Sequence, residues 1–363
     1  MSKVIGEDDS SVGATVGVVG LGLIGGSLAR TLVAGGVPVV ATDPDPATRA
    51  AASAAGITVA DDVAGVCAAA QRAVVLACPL VALDDVLARV AAAGIAPGCV
   101  LTDVGSVKTA VHARVAAAGL ADRFVGAHPM AGTEHSGFAA SSADLLPGAR
   151  WAVTPGDAPA DAVRAVLALV LGPLDAGGVY VVEPDVHDRA VALVSHVPHV
   201  TATVLLSTVA DAEAAGLAVG LAAGSFRDGT RVARTDPLRT RAMVAGNAAA
   251  VAPVLRALAA EVAALADGLD AGDDAAVTAF FTRADGLRAR LDGRRLVDGG
   301  ADGTGTAADP APEGGWTRDA PTHRVTLGAA GWRDTLTALG ADGWCVTVLV
   351  RGIAHAHPLL PPG

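Results

Sequence analysis

Short β-branched runs alternate with alanine-rich stretches of helical spacing through the first half of the chain. The runs are Thr15–Val19, Pro38–Thr42, Ala73–Ala77, Cys99–Asp103, Arg123–Ala127, Trp151–Thr154 and Val179–Val182. Strands separated by helices predict a mostly parallel sheet wound on both faces. After Glu183-Pro184 the pattern changes. From Asp185 to about Leu291 there is no strand signal, and helical spacing dominates in Asp188–Leu206, Thr240–Ala266 and Asp274–Leu291. The apolar faces of these helices exceed what one small domain can bury, which predicts a partner surface. Gly, Asp, Pro and Thr fill Asp292–Thr317, a linker composition. Beyond it, a strand (His323–Leu327), a helix (Gly331–Leu339) and a strand (Cys345–Val350) predict a small βαβ-like tail. The expected divisions are a loose tail at 1–12, a first domain at 13–183, a helical domain at 184–292, a linker at 293–318 and the tail at 319–363.

Composition narrows the function classes. The chain has 363 residues and a formal charge of −11, a poor match for a phosphate backbone or an anionic membrane. Neither nucleic acid nor membrane is therefore an expected partner. An anionic substrate would need local cations working against that field. The stretch Val191–Ala210 is apolar enough to mimic a membrane span, but it carries Ser195, His196, Pro198 and His199. The N-terminal stretch Met1–Asp9 is acidic and lacks an apolar targeting core. Four dispersed cysteines (Cys67, Cys78, Cys99, Cys345) show no paired spacing, so reduced thiols and a cytoplasmic location are expected, with no metal site.

Directly after the first strand, Gly20, Gly22 and Gly25 form a G-x-G-x-x-G array that opens a helix. The first glycine permits a tight turn, the second lets the backbone approach a pyrophosphate, and the third lets helix and strand pack closely. The helix N-terminus offers free N–H groups and partial positive charge. Asp43, 23 residues after Gly20, ends the next strand. A carboxylate there bonds ribose hydroxyls and repels an extra phosphate, which favours NAD over NADP. The plainer role of Asp43 is to start a turn before Pro44. Leu21, Leu23 and Ile24 of the loop, and Pro79 beyond the third strand, complete the expected cofactor contacts. This first domain is thus expected to be an α/β, doubly wound, Rossmann-like unit.

Four further motifs carry a more specific message. They are Asp103-Val-Gly-Ser-Val-Lys108, Gly126-Ala-His-Pro-Met-Ala-Gly-Thr-Glu134, His187-Asp188 with Ser195-His-Val-Pro-His199, and Ser225-Phe-Arg-Asp-Gly-Thr-Arg-Val-Ala233. In this order and spacing, from about Thr15 to Leu291, the chain resembles the prephenate/arogenate dehydrogenase family. That resemblance implies an all-α dimerisation domain after the Rossmann-like one, a homodimer, and NAD-dependent oxidative decarboxylation of prephenate or arogenate on the route to tyrosine. Such chemistry needs a group for the ring hydroxyl proton, cations for carboxylates and a dry site.

By the same resemblance, His128 faces the ring hydroxyl, and Ser106 holds His128 or that hydroxyl. Ser106 could instead cap the helix starting near Val107. Lys108 reads as a supporting or solvated charge. His199 and Ser195 share a helical face, but so nearly do His196 and His199. Spacing leaves the choice of histidine open, and family correspondence selects His199 for the substrate side chain. His187 and Asp188 match a further pair at the entrance to that helix. Arg231 is the expected carboxylate anchor, since a guanidinium meets a carboxylate with two parallel bonds. An ion pair with Asp228 or Asp236 is its structural alternative. Glu134 is expected to pair with a cation at the cleft mouth and gate it. One departure stands out: many members carry Trp eight residues after the Arg231 equivalent, where this chain has Arg239.

Two rivals fit less well. Hydroxyacid dehydrogenases and imine reductases use a Lys or Tyr in the second domain, whereas this chain has no Lys after Lys108 and only one Tyr, Tyr180. A non-catalytic NAD-sensing regulator would suit the C-terminal tail but leaves His128, Ser106, His199 and Arg231 without a task.

Overall fold

Eleven strands share one sheet in the order β3-β2-β1-β4-β5-β6-β7-β8-β10-β11-β9. The computed structural model describes residues 13–289, 291 and 322–358. The expected tail at 1–12 and linker at 293–318 lie outside the described residues. Six strands form the parallel part: β1 (Val16–Val19), β2 (Val39–Thr42), β3 (Thr58–Val59), β4 (Ala73–Leu76), β5 (Val100–Asp103) and β6 (Phe124–Pro129). Then β7 (Arg150–Thr154) runs antiparallel to β6, and β8 (Gly178–Val181) lies parallel to β7. Connecting helices are α1 (Leu23–Ala34), α2 (Pro46–Ala54), α3 (Val63–Ala69), α4 (Leu83–Ala93), α5 (Thr109–Ala117) and α6 (Ala160–Leu171).

Alternation explains why these strands are almost wholly apolar. In β4, Ala73 and Val75 face one core with Val16, Val18 and Leu167, while Val74 and Leu76 face the other with Val66, Leu87 and Leu101. A parallel sheet covered on both faces needs apolar side chains at every position. All seven expected strands are present. The two-residue β3 gave too short a signal to predict.

The C-terminal segment extends this same sheet. Its strands are β9 (His323–Thr326), β10 (Trp344–Val350) and β11 (Ile353–Pro358). The third strand, unforeseen because Ile353-Ala-His-Ala-His-Pro carries two His and a Pro, lies between β9 and β10 and is antiparallel to both. At Val346, β10 pairs with Val179 of β8. Helix Trp332–Ala341 packs on β8, where a Cβ at Gly340 would meet the Val181 carbonyl oxygen at 2.0 Å.

The helical region comprises α7 (Pro184–Val191), a π-turn (Ala192–His196), α8 (Val197–Ala210), α9 (Ala215–Gly220), α10 (Gly224–Thr230), α11 (Pro237–Gly246), α12 (Ala248–Asp270) and α13 (Asp274–Thr282). The continuous helix expected over Thr240–Ala266 is interrupted at Asn247, which leaves helical geometry at φ −114° and ψ 28°. Its side chain is drawn into long-range hydrogen bonds described below.

Candidate active site

The glycine array forms a cradle at the C-terminal end of β1. Gly20 has φ +100°, and a Cβ there would lie 2.7 Å from the Ala77 carbonyl oxygen. A Cβ on Gly25 would approach the Gly20 carbonyl oxygen to 2.1 Å, whereas Gly22 faces open space. No side chain caps the N-terminus of α1, so its first N–H groups remain free for an anion. These features fit a dinucleotide pyrophosphate. Leu21 and Leu23 are buried beneath the loop, Ile24 half-buried, and Pro79 sits exposed past β4. Asp43 makes the turn that was its plainer role, and it also contacts the glycine loop. One carboxylate oxygen accepts from Leu21 N at 2.8 Å, and the other accepts from Asp45 N at 3.0 Å, starting the turn. It thereby ties the glycine loop to the end of β2.

A second group gathers where β5 and β6 end. Lys108 is fully buried, bonded to the Asp103 carboxylate and to the Ala127 carbonyl oxygen at 2.8 Å. Its expected supporting role suits this position, but solvent does not reach it. Asp103 also accepts from Ala127 N at 3.3 Å and Gly105 N at 2.9 Å, so one ion pair fixes both strand ends. Helix α5 begins after this pair, and its N-terminus is capped from far along the chain. Asp188 accepts from Lys108 N and Thr109 N, both at 2.8 Å. Ser106, half-buried at the end of β5, makes no side-chain cap at that helix.

The same Asp188 carboxylate accepts from His187 Nδ1 at 2.8 Å, and His187 Nε2 lies 2.9 Å from His128 Nδ1. Burial alone would raise Asp188, but the His187 bond and the two N–H groups of α5 hold it down at about 2. Asp188 is thus ionised and fixes the proton of His187 on Nδ1. His187, its pKa lowered by burial, keeps a lone pair on Nε2. His128 must then donate from Nδ1, which leaves its Nε2 as a proton acceptor. Burial, with His187, Lys108 and His196 nearby, pushes His128 well below the ordinary imidazole range, so it is neutral at pH 7.

The histidines of the π-turn region separate into two roles. His196 is wholly buried and its Nδ1 accepts from Asn247 Nδ2 at 3.0 Å. The other proton of that amide goes to the Asp188 carbonyl oxygen at 2.7 Å. With both amide protons used, His196 carries its own proton on Nε2, a buried atom with no hydrogen-bond partner. Burial lowers His196 to about 4. His199 is half-buried, beside the backbone of Val232, and burial together with Arg239 and Arg231 lowers its pKa. Ser195 is half-buried within the π-turn, a feature that recurs at functional sites.

At the outer side, Arg231 approaches neither Asp228 nor Asp236. Its Nη1 lies 3.9 Å from Glu134 Oε2, across from the loop that follows β6. His196 is near enough to help lower His128, His199 to help lower His196, and Arg231 to help lower His199. Sequence reasoning missed Asn247 and gave Asp103, though it opens one of the motifs, no role. An Asn at a break in an apolar helical stretch was the available signal for the first.

Comparison with known proteins matches this arrangement to one family. Residues 28–178 match the prephenate dehydrogenase nucleotide-binding domain, and residues 183–282 match the prephenate dehydrogenase dimerization domain. A cyclohexadienyl dehydrogenase from Zymomonas mobilis is 33% identical over 247 residues, covering 66% of this chain and 83% of that protein. A prephenate dehydrogenase from Bacillus subtilis is 34% identical over 246 residues, 64% of each chain. Among solved structures, a candidate prephenate dehydrogenase from Corynebacterium glutamicum has a TM-score of 0.75 at 31% identity, covering 93% of this chain and 99% of that one. The Aquifex aeolicus prephenate dehydrogenase, solved with hydroxyphenyl propionate and NAD+, has a TM-score of 0.70 at 25% identity, covering 77% and 98%. The larger share of the first reaches into the C-terminal strands.

Proposed function

Because this chain belongs to the prephenate dehydrogenase family, we propose that it is an NAD-dependent enzyme converting prephenate to 4-hydroxyphenylpyruvate in tyrosine biosynthesis. Arogenate, which differs by an amino group in place of the oxo group, is the alternative substrate. The observation that carries this reading is the hydrogen-bonded series Asp188–His187–His128 at the end of β6, three strands along the same sheet from the glycine cradle.

Bound NAD+ supplies the hydride acceptor. Asp188 and His187 set the tautomer of His128, whose free Nε2 accepts a hydrogen bond from the ring C4 hydroxyl. As hydride leaves C4, positive charge grows on that carbon and oxygen, and a neutral imidazole can hold the proton. The ring carboxylate departs as CO2 and its electron pair completes the aromatic ring, so the proton can return to the phenol oxygen. Ser106 lies on the same strand-end layer and supports His128 or the hydroxyl. His199, Ser195 and Arg231 hold the side chain, and Glu134 opens or closes the mouth by engaging Arg231. Gly20, Leu21, Gly22, Leu23, Ile24, Gly25, Asp43 and Pro79 form the cofactor contacts.

The domains are read as 13–183 for the dinucleotide and 184–292 for substrate and dimerisation, with the described C-terminal residues 322–358 added to the sheet of the first. Helices Pro184–Ala210 and Ala248–Asp270 are long and apolar enough to cross a membrane. The match to a dimerization domain and the site residues within the first of them support an interface between two copies instead. The enzyme is accordingly read as a cytoplasmic homodimer.

The test is turnover of prephenate and arogenate with NAD+ and NADP+, in the native protein and in His128→Asn. We expect NADH formation with the native protein and a kcat lower by about 10²–10⁴ in the variant, with NAD+ affinity retained. Near-normal turnover in His128→Asn would remove this residue from the chemistry.

A further inference from the structure

Arg239 has no carboxylate within ion-pair distance among the described residues. Its position is nevertheless well defined at its base. Asp236 caps α11 through Leu238 N at 2.8 Å and Arg239 N at 3.5 Å, which fixes where the side chain departs from the helix. From there the guanidinium crosses to the loop after β6. Its Nη1 lies 3.5 Å from the His135 carbonyl oxygen, the long limit of a hydrogen bond, and its Nη2 lies 3.8 Å from where a Cβ on Gly132 would be. Arg231 reaches the same loop at Glu134.

Two guanidinium groups therefore span from the helical region to the loop that carries on from His128. Their balance differs. Arg231 faces the Glu134 carboxylate, while Arg239 faces only a carbonyl dipole. Both charges reach His199, and that of Arg239 weighs more on it than that of Arg231.

We propose that Arg239 sets substrate choice at this site, favouring a side chain that is a 2-oxo acid over one bearing an ammonium group at the same carbon. This rests on the reading that His199 and Arg231 hold the substrate side chain. Prephenate and arogenate share both carboxylates and differ at that single carbon. An oxo oxygen accepts hydrogen bonds from a guanidinium. An ammonium group offers only donors and a like charge to it. Glu134, the acid that could welcome an ammonium group, lies on the Arg231 side of the loop, 3.9 Å from that guanidinium. Because Arg239 is exposed, solvent and salt moderate the repulsion.

The experiment measures kcat/KM for both substrates in the native enzyme, Arg239→Lys and Arg239→Gln, at low ionic strength and at about 0.5 M salt. The native enzyme should prefer prephenate. Arg239→Gln should lower the prephenate-to-arogenate ratio about tenfold, chiefly through KM. Arg239→Lys should keep most of the preference, and salt should shrink it in the native enzyme but not in the Gln variant. An unchanged ratio in an active Arg239→Gln enzyme, or a native preference for arogenate, overturns this inference alone. Failure to oxidise either compound overturns the functional reading and this inference with it.

Discussion

Strands β1, β4 and β5 bury every one of their residues, whereas α12, with 23 residues, buries only Val251. Both segments are strongly apolar, yet one is finished within the chain and the other is not. On α12, Val251 and Leu255 pack against Ala192 and Val197, and the stripe then continues uncovered through Leu258, Val262 and Leu269. Val204, Leu205 and Leu206 of α8 are likewise exposed. Each such side chain gains about 1.5–3 kcal/mol when fully buried. The dinucleotide half buries its own apolar strands, and the helical half leaves an apolar stripe exposed. The candidate site draws on both, since Asp188 from the helical half caps α5 of the other.

The sharpest way to break this contrast is a charge on the uncovered stripe. Val262→Asp should convert the protein to monomers in sedimentation and lower turnover by roughly a hundredfold or more, while NAD+ binding stays close to native. A dimer of normal activity would show that α12 is not the covered face. Asp188→Asn tests the joint between the halves. It leaves a buried N–H of α5 poorly paired and frees the tautomer of His187. We expect a loss of about 1–3 kcal/mol in unfolding free energy and a kcat lower by about 10–100-fold. Loss of stability with unaltered kcat would reduce Asp188 to a helix cap. Acid lability tests the burial that both halves share. His112 and His196 are both held at about 4, mainly by burial, below the unfolded value of 6.5. Between those values the unfolded chain binds protons that the folded chain refuses, so stability falls as pH falls from 6.5 toward 4. Each histidine contributes a slope of about 1.4 kcal/mol per pH unit. Thermal melts between pH 7.5 and 4.5 measure it, and a flat profile would argue against neutral buried imidazoles.

Much of the first half was readable because its constraints are local. Gly20 needs its positive φ for its own turn, Gly25 meets the Gly20 carbonyl oxygen five residues back, and β-branched runs mark strands whatever their partners. The helical half was readable only in outline. Whether His196 or His199 faces the substrate could not be decided from spacing, because the π-turn alters the helical register and Asn247, 51 residues on, claims His196. The capping of α5 escaped for the same reason. Its partner Asp188 lies 80 residues from Lys108, and Ser106 offered a nearer candidate of the right type. Lys108 was read as a supporting or solvated charge, since its neutralising Asp103 belongs to the preceding strand and only the fold closes water out.

The wide turn at Ala192–His196 has a consequence for how this stretch can vary. It lets one continuous rod present His187 toward β6 on one side and His199 toward Arg231 on the other. Removing a single residue there would leave composition and helicity almost untouched, yet would swing all that follows by about 100°. The length of this stretch is held to a fixed count by the aim of the side chains beyond it.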